Sequence, residues 1–193
     1  MIVVQRYKNL KKEVALCKPK TIVEVGTWKG VNGSRMIREA QKYNEDIEYY
    51  GFDIFEDIDP EIKKKEKHVK PNIVGDDAYE ILKETGATIN LYRGYTNETL
   101  PNFKPNKPID FIYIDGGHSL ETIDNDWTYL KPFVHSGTVV LFDDYYNNNT
   151  KEGSFNLISE LKKNSDYKVE LLDPEDVIHA KLAIRFVKVT SSK

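Results

Sequence analysis

The residues best suited to chemistry fall in two short motifs, each directly after an apolar run. Asp115 and His118 follow one run, and Asp143 and Asp144 follow the next. If the two runs are neighbouring parallel strands, three carboxylates meet at one edge of the sheet. Like charges raise each other's pKa, and a hard divalent cation with oxygen ligands relieves that repulsion. A metal site is therefore one interpretation, and caps of the following helix or turn are the other.

His118 stands three residues after Asp115. An imidazole with an ordinary pKa of about 6.5 exchanges its proton near neutral pH, which suits a general base. A loop histidine that only packs or forms hydrogen bonds is the alternative interpretation.

A glycine-rich segment follows the first apolar run, Thr21–Val25. Gly26, Gly30 and Gly33 would let the chain turn sharply and approach a ligand closely. Their spacing differs from G-x-G-x-x-G, so the dinucleotide-binding fingerprint is absent. An ordinary turn explains these glycines equally well.

Two further strand ends carry polar groups. Asp53 lies about twenty residues after Gly33, where an acid can accept hydrogen bonds from ribose hydroxyls. A solvated acid at a strand end is the alternative. Gly94, Tyr95 and Thr96 follow the third apolar run and could line an adenine pocket.

Strands and helices alternate along the chain. The strand candidates are Thr21–Val25, Glu48–Ile54, Ile89–Tyr92, Phe111–Ile114, Thr138–Phe142, Tyr167–Leu172 and Ala180–Val189. The helix candidates are Arg35–Tyr43 with Ser34 as N-cap, Asp77–Glu84, Leu120–Leu130 and Phe155–Lys163. Apolar strands that are each followed by a helix predict an α/β fold, with a parallel sheet covered on both faces. The last two strands have no helix between them, so they predict a hairpin and an antiparallel last strand.

We expect one domain over residues 1–193, with a core at about 21–189. Ligands of such sheets bind beyond the carboxyl ends of the strands. Residues 56–72 contain a run of lysines and form the longest irregular candidate. They are either a solvated helix or loop, or a mobile lid over the site.

The composition argues against some partners. A formal net charge of −3 leaves no basic excess for binding phosphates, so nucleic acid is not an expected partner. The single cysteine, Cys17, excludes an internal disulfide. No apolar run approaches the roughly 20 residues of a membrane span, and the N-terminus lacks a signal-peptide pattern. We therefore expect a cytoplasmic protein with no membrane partner.

Taken together, these motifs resemble the class I S-adenosylmethionine-dependent methyltransferases, over about Thr21 to Val189. The segment Ile22–Gly30 looks like their first cofactor motif, and Gly51-Phe52-Asp53 looks like the second. The resemblance implies a Rossmann-like, doubly wound fold with a mostly parallel seven-stranded sheet and helices on both faces. The cofactor-binding residues would be Glu24, Gly26, Thr27, Trp28, Gly30, Ser34, Asp53, Thr96 and Asp115.

The segments 110–119 and 137–144 are similar to the metal-dependent O-methyltransferases of the catechol, caffeoyl-CoA and macrolide-sugar types. That similarity implies Mg²⁺, or another divalent cation, on Asp115, Asp143 and Asp144. It also implies a general base at His118. The catechol type has lysine at this position and sugar-modifying relatives have histidine. The similarity therefore favours Mg²⁺-assisted O-methylation of a sugar or glycan hydroxyl.

The segment Met1–Lys18 is short for the helices that shape the acceptor pocket in such relatives. The walls of that pocket would come from loops or from the second subunit of a homodimer. Tyr145 to Asn149 could stack on and form hydrogen bonds with a sugar ring, and a flexible surface loop is the alternative. Trp127 is expected in the core. Two other functions stay open: a metal-independent methyltransferase of the same fold acting on a small molecule, and a nicotinamide-dependent oxidoreductase.

Overall fold

The computed structural model describes residues 5–55, 59–61, 66, 75–178 and 182–193. The strands are β1 (Thr21–Val25), β2 (Glu48–Asp53), β3 (Thr88–Arg93), β4 (Phe111–Ile114), β5 (Val139–Tyr146), β6 (Tyr167–Leu171), β7 (Asp176–Ile178) and β8 (Leu182–Ser191). The helices are α1 (Tyr7–Cys17), α2 (Val31–Ala40), α3 (Gly75–Lys83), α4 (Thr96–Thr99), α5 (Leu120–Leu130) and α6 (Phe155–Leu161). Short 3₁₀ turns cover Leu100–Asn102 and Lys131–Phe133. Of the predicted lid at 56–72, residues 59–61 and Glu66 are described, and the rest lies outside the described residues.

One mixed sheet organises the fold. Over the described residues it has eight strands, in the order β3-β2-β1-β4-β5-β8-β6, with β7 also paired to β8. Strands β1 to β5 are parallel to one another, and β8 is antiparallel to β5, β6 and β7. The chain moves from β1 outward to β3 and returns to β4, so the switch point lies between β1 and β4. The predicted Rossmann-like fold with its reversed last strand is confirmed.

The predicted count of seven strands is one too low. The additional strand, β7, is three residues long and pairs with the first residues of β8. It adds to the edge of β8 that also pairs with β6, because Ile184 pairs with Tyr146 on one side and Asp176 on the other. So short a strand, close after Pro174, carries no recognisable alternation in the sequence.

The sheet is covered on both faces because alternate strand residues point to opposite sides. Side chains such as Ile22 and Phe111 face one way and pack with residues of α1, α2 and α3. Their neighbours Val23 and Ile112 face the other way and pack with α5 and α6. Trp127 of α5 is 5% exposed, which confirms its expected place in the core.

Helix α2 begins four residues earlier than predicted. Gly30, with φ of +71°, is its N-cap, and the helix runs from Val31. Ser34 is already inside the helix and donates its N–H to the carbonyl of Gly30 at 2.8 Å. The interpretation of Ser34 as an N-cap is therefore wrong. The left-handed conformation of Gly30 lets the chain enter the helix directly from the loop.

Strand β5 continues past the point where the sequence predicts its end. Its pairing with β8 shifts register between Phe142 and Tyr145, so Asp143 and Asp144 oppose the single residue Phe186. This is a β-bulge, which bends a strand and redirects side chains. Tyr145 and Tyr146 belong to the strand and are both buried, which leaves neither ring exposed to stack on a sugar.

None of the helices within the described residues has the length and apolar character that a membrane span needs.

Candidate functional site

The loop after β1 packs tightly against the end of β4. Gly26 has φ of +90°, and a Cβ added there would lie 2.0 Å from the carbonyl oxygen of Asp115. Its N–H donates to the carbonyl of Phe52 at 2.9 Å. The chain ends after β1, β2 and β4 therefore meet at one place, which only a glycine at this position allows.

Asp53 fixes the conformation of this loop. Its carboxylate accepts the N–H of Trp28 at 2.7 Å and the N–H of Phe55 at 2.8 Å. Trp28 has a left-handed backbone conformation, with φ of +45°, and Asp53 binds the loop at this residue. A carboxylate has about four lone-pair sites, so the half-buried Asp53 can still accept a ribose hydroxyl.

Glu24 and Thr27 lie beneath the loop rather than at its open surface. Glu24 is fully buried and accepts a hydrogen bond from the hydroxyl of Tyr49. Thr27 is also buried, with its hydroxyl 3.4 Å from that of Tyr49. A Cβ at Gly33 would meet both Tyr49 and Glu24, so α2 crosses directly above this pair. Both residues support the loop from below, and their contact with a cofactor stays a prediction.

Thr96 begins α4 and contacts α5. Its hydroxyl accepts a hydrogen bond from the side chain of Asn125 at 3.2 Å. The neighbouring Asp126 is fully buried, and among the described residues its Oδ2 has no hydrogen-bond partner. Burial raises the pKa of Asp126 to about 7, against the hydrogen bonds from Thr96 and Asn125 that lower it. The sequence analysis missed Asp126, which sits at a helix position typical of core residues.

At the end of β5, a buried arginine holds Asp143. The Arg6 guanidinium donates from Nε to Asp143 Oδ1 at 2.8 Å and from Nη2 to Oδ2 at 3.2 Å. The side chain of Asp143 is 0% exposed and that of Arg6 is 10% exposed. Burial disfavours the charged guanidinium, but the carboxylate of Asp143 raises the pKa of Arg6 above its ordinary value. The sequence analysis missed Arg6, because no motif surrounds it.

The next residue holds the predicted base. Asp144 Oδ2 lies 2.7 Å from His118 Nε2, and Asp144 Oδ1 accepts the hydroxyl of Tyr146 at 2.9 Å. Burial lowers the pKa of His118, but its hydrogen bond and ion pair with Asp144 raise that pKa to about 9. Burial likewise disfavours the Asp144 carboxylate, while the bond from His118 lowers its pKa below the usual value.

Asp115 completes the predicted cluster. The hydroxyl of Tyr113 lies 3.1 Å from Asp115 Oδ2 and 3.4 Å from Asp143 Oδ2, so it spans the ends of β4 and β5. The structure thus brings Asp115, His118, Asp143 and Asp144 together at one edge of the sheet. This edge also borders a small depression, which is lined by Ile114, Asp115, Gly116, Gly117, Ile123, Phe142, Asp143, Asp144 and Ser154.

The arrangement of the carboxylates does not fit a Mg²⁺ site. Both oxygens of Asp143 accept hydrogen bonds from Arg6, and both oxygens of Asp144 accept from His118 and Tyr146. Within the part of the chain that the structure describes, no group of three His, Cys, Asp or Glu side chains is placed to hold a metal ion.

Glu66 is a further residue that the sequence analysis missed. Its carboxylate is buried against the start of α5, where it accepts the N–H of Ser119 at 2.8 Å and the hydroxyl of Thr122 at 2.6 Å. Burial disfavours its charge, but these hydrogen bonds lower the pKa of Glu66 below the usual range. An acid inside a run of lysines looks like part of a solvated face, so no signal marked it.

Comparison with known proteins agrees with this geometry. A family model described as a methyltransferase domain matches residues 23–145, more than half of the chain. Uncharacterized protein R132 of Acanthamoeba polyphaga mimivirus is 30% identical over 127 residues, which are 65% of this chain and 51% of that protein. The chain thus matches about half the length of this curated relative.

Two solved structures share the fold. The O-methyltransferase TomG from Streptomyces achromogenes, involved in tomaymycin synthesis and solved with SAM, has a TM-score of 0.71 at 16% identity, over 100% of this chain and 82% of TomG. An O-methyltransferase from Bacillus cereus, solved with SAH, has a TM-score of 0.67 at 13% identity, over 100% of this chain and 83% of that chain. At such identities the likeness shows the fold.

Proposed function

The chain belongs to the methyltransferase-domain family, and from that premise we propose that it is an S-adenosylmethionine-dependent O-methyltransferase. One observation carries the proposal. His118 is paired with Asp144 at 2.7 Å, at the same sheet edge where Gly26 packs on Asp115. A proton acceptor thus stands beside the loop where the fold binds its ligand.

The residues of the loop fit the cofactor. Asp53 would accept hydrogen bonds from the ribose hydroxyls, and the backbone at Gly26 allows close approach of the amino-acid end. Thr96 would lie near the adenine, and the support is its position after β3 and its contact with Asn125 of α5. When bound, the cofactor supplies an activated methyl group on a sulfonium.

His118 would act as the general base. It would take the hydroxyl proton of the acceptor as the oxygen attacks the methyl group. Asp144 then stabilises the imidazolium that forms and keeps the ring oriented, since it already holds Nε2. The loops at this edge of the sheet would hold the acceptor oxygen and the methyl group in line.

We propose a sugar or glycan hydroxyl as the acceptor. The support is the histidine at position 118, through the resemblance of segment 110–119 to the sugar-modifying O-methyltransferases. The buried rings of Tyr145 and Tyr146 add no support, so sugar recognition would rest on the exposed Asn147 and Asn148 that follow them.

The test is calorimetric titration of S-adenosylhomocysteine, with NAD as the control ligand. We expect binding of S-adenosylhomocysteine and no heat from NAD. Asp53→Ala should weaken the binding, because it removes the ribose acceptor and frees the Trp28 loop. Asp46→Ala, on an exposed acid before β2, should bind like the wild type. Absence of binding in the folded wild-type protein would overturn the proposal. Transfer of a labelled methyl group to sugars with neighbouring hydroxyls then tests the acceptor class, and transfer to phenols alone would refute it.

A further inference from the structure

Arg6 binds Asp143, one of the three carboxylates on which the sequence predicts a divalent cation. Its Nε and Nη2 bind both oxygens of Asp143, and its Nη1 lies 3.1 Å from Asp176 Oδ2. Asp176 in turn accepts the N–H of Gln5 at 2.6 Å and the N–H of Arg6 at 3.2 Å. The guanidinium is therefore held between β5 and β7 by two carboxylates, and Asp176 also binds the backbone N–H of Arg6.

The packing around Arg6 keeps this cation in place. The guanidinium carbon lies 4.8 Å from the ring centroid of Tyr7 and 5.9 Å from that of Phe186. A buried, bidentate pair between arginine and a carboxylate has a fixed geometry, unlike a surface ion pair. A metal ion could reach Asp143 only by displacing this side chain.

The ion pair with Arg6 is connected to the proposed base. Asp143 Oδ1 also accepts the N–H of Asp144 at 2.7 Å, and Asp144 binds His118. This contact lies within the bulge in β5, where Asp144 takes a left-handed φ of +55°. Arg6 acts on His118 through Asp143 and Asp144, so it is a positioning residue.

We propose that Arg6 replaces the divalent cation of the metal-dependent O-methyltransferases, so that this chain transfers methyl groups without a bound metal. The catalytic part of this inference rests on the proposed function. The exclusion of metal from the carboxylates is independent of the proposed function, because metal binding can be measured without activity. Mg²⁺ demands near-octahedral oxygen ligands at short distance, and the neighbouring guanidinium would repel it.

The first experiment uses Mn²⁺ as the probe, with free Mn²⁺ measured by electron paramagnetic resonance. Wild-type protein should leave the Mn²⁺ signal unchanged, and its methyl transfer should survive EDTA. Stoichiometric Mn²⁺ binding that Asp143→Asn removes would overturn the proposal. So would turnover that is lost in EDTA and restored by Mg²⁺.

The second experiment removes the cation. Arg6→Ala uncovers the carboxylates of Asp143 and should raise Mn²⁺ affinity about 100-fold, because a unit charge a few ångströms away no longer opposes the ion. Arg6→Lys keeps the charge and should bind Mn²⁺ no better than the wild type. Lys188→Ala is the matched control, since its 2.7 Å ion pair with Glu13 also ties α1 to the sheet but lies outside the cluster.

A folded Arg6→Ala variant with wild-type Mn²⁺ affinity would contradict the inference. Removal of one partner from a buried ion pair can unfold a protein, so the melting temperature of each variant is measured first. If Arg6→Ala does not fold, Arg6→Gln is tested in its place, and the wild-type measurement decides by itself. Binding of S-adenosylhomocysteine in the same samples reports separately on the proposed function.

Discussion

The carboxylate of Glu66 accepts the main-chain N–H of His118, with an Oε2–N distance of 2.7 Å. The same carboxylate also accepts from Ser119 and Thr122 at the first turn of α5. A negative charge at this end of a helix is favoured by the helix dipole. Glu66 therefore fixes both the helix and the loop that carries the proposed base.

Glu66→Gln should lower both the melting temperature and kcat. The amide nitrogen can donate to the hydroxyls of Ser119 and Thr122 and so keep these contacts, but the negative charge at the start of α5 is lost. A lost cap of this kind should cost about 4 °C in Tm. Glu61→Gln, on an exposed acid of the same segment, is the control for thermal melting and turnover. Equal behaviour of the two variants would show that the Glu66 contacts are dispensable.

His118→Gln should reduce turnover by about 10²–10⁴-fold, the usual contribution of a general base. Binding of S-adenosylhomocysteine should be unchanged, because the cofactor residues belong to the loops after β1 and β2. Single-turnover kinetics and calorimetry measure the two effects separately. His135→Gln, on an exposed histidine, should match the wild type in both. Loss of cofactor binding in His118→Gln would mean that the histidine is structural.

The pH dependence of kcat/KM should reflect the pair of His118 and Asp144. Burial disfavours the imidazolium, but Asp144 raises the pKa of His118 to about 9. A base acts only when it is deprotonated, so kcat/KM should increase from pH 7 to about pH 9 and then level off. A profile that levels off near pH 6.5 would mean that Asp144 does not pair with the base in the working enzyme.

The same pair should make stability depend on pH. The folded pKa of His118, about 9, lies above the unfolded value of about 6.5. Its contribution to the free energy of unfolding is therefore complete below pH 6.5 and is lost as the pH rises through 9. The loss should be on the order of 3 kcal/mol in chemical denaturation. His118→Gln should flatten this part of the curve, and an unchanged slope would rule out the pair as its cause.

Asp126→Asn should stabilise the protein at pH 8. Burial raises the pKa of Asp126 to about 7 in the folded protein. Its ionisation therefore destabilises the folded state once the pH rises above the pKa that Asp126 has in the unfolded chain. Removing the charge should raise Tm by about 5 °C at pH 8 and hardly at all at pH 4. Asp124→Asn, on the exposed side of the same helix, is the control. A lower Tm at pH 8 would mean that the carboxylate has a stabilising partner.

Much of the fold could be predicted because the central strands are apolar throughout. Thr21–Val25 and Phe111–Ile114 have the predicted bounds, since both are buried throughout and are followed by Gly26 and Asp115. Strand β5 was predicted too short because a bulge carries it through two acids, and polarity normally ends a buried strand.

The site was predicted in part for a related reason. Residues that follow a strand, such as Asp115, can be placed at the sheet edge from the strand order alone. Arg6 and Glu66 are far in the sequence from the strand ends that they contact. Only tertiary packing therefore brings their side chains to the site. The metal expectation depended on an uncompensated carboxylate cluster, and the compensating guanidinium comes from a distant part of the chain.

The separation between Arg6 and its partners has a consequence for how the protein is made. Arg6 precedes Asp143 by 137 residues and Asp176 by 170 residues. A ribosome adds about 5–20 residues per second, so Arg6 is made well before either carboxylate. For several seconds the nascent chain holds a cation with no anion to bury against. Helix α1 can therefore dock in its final position only after Asp176 has been made, so the edge that carries Asp143 and Asp144 is completed late in folding.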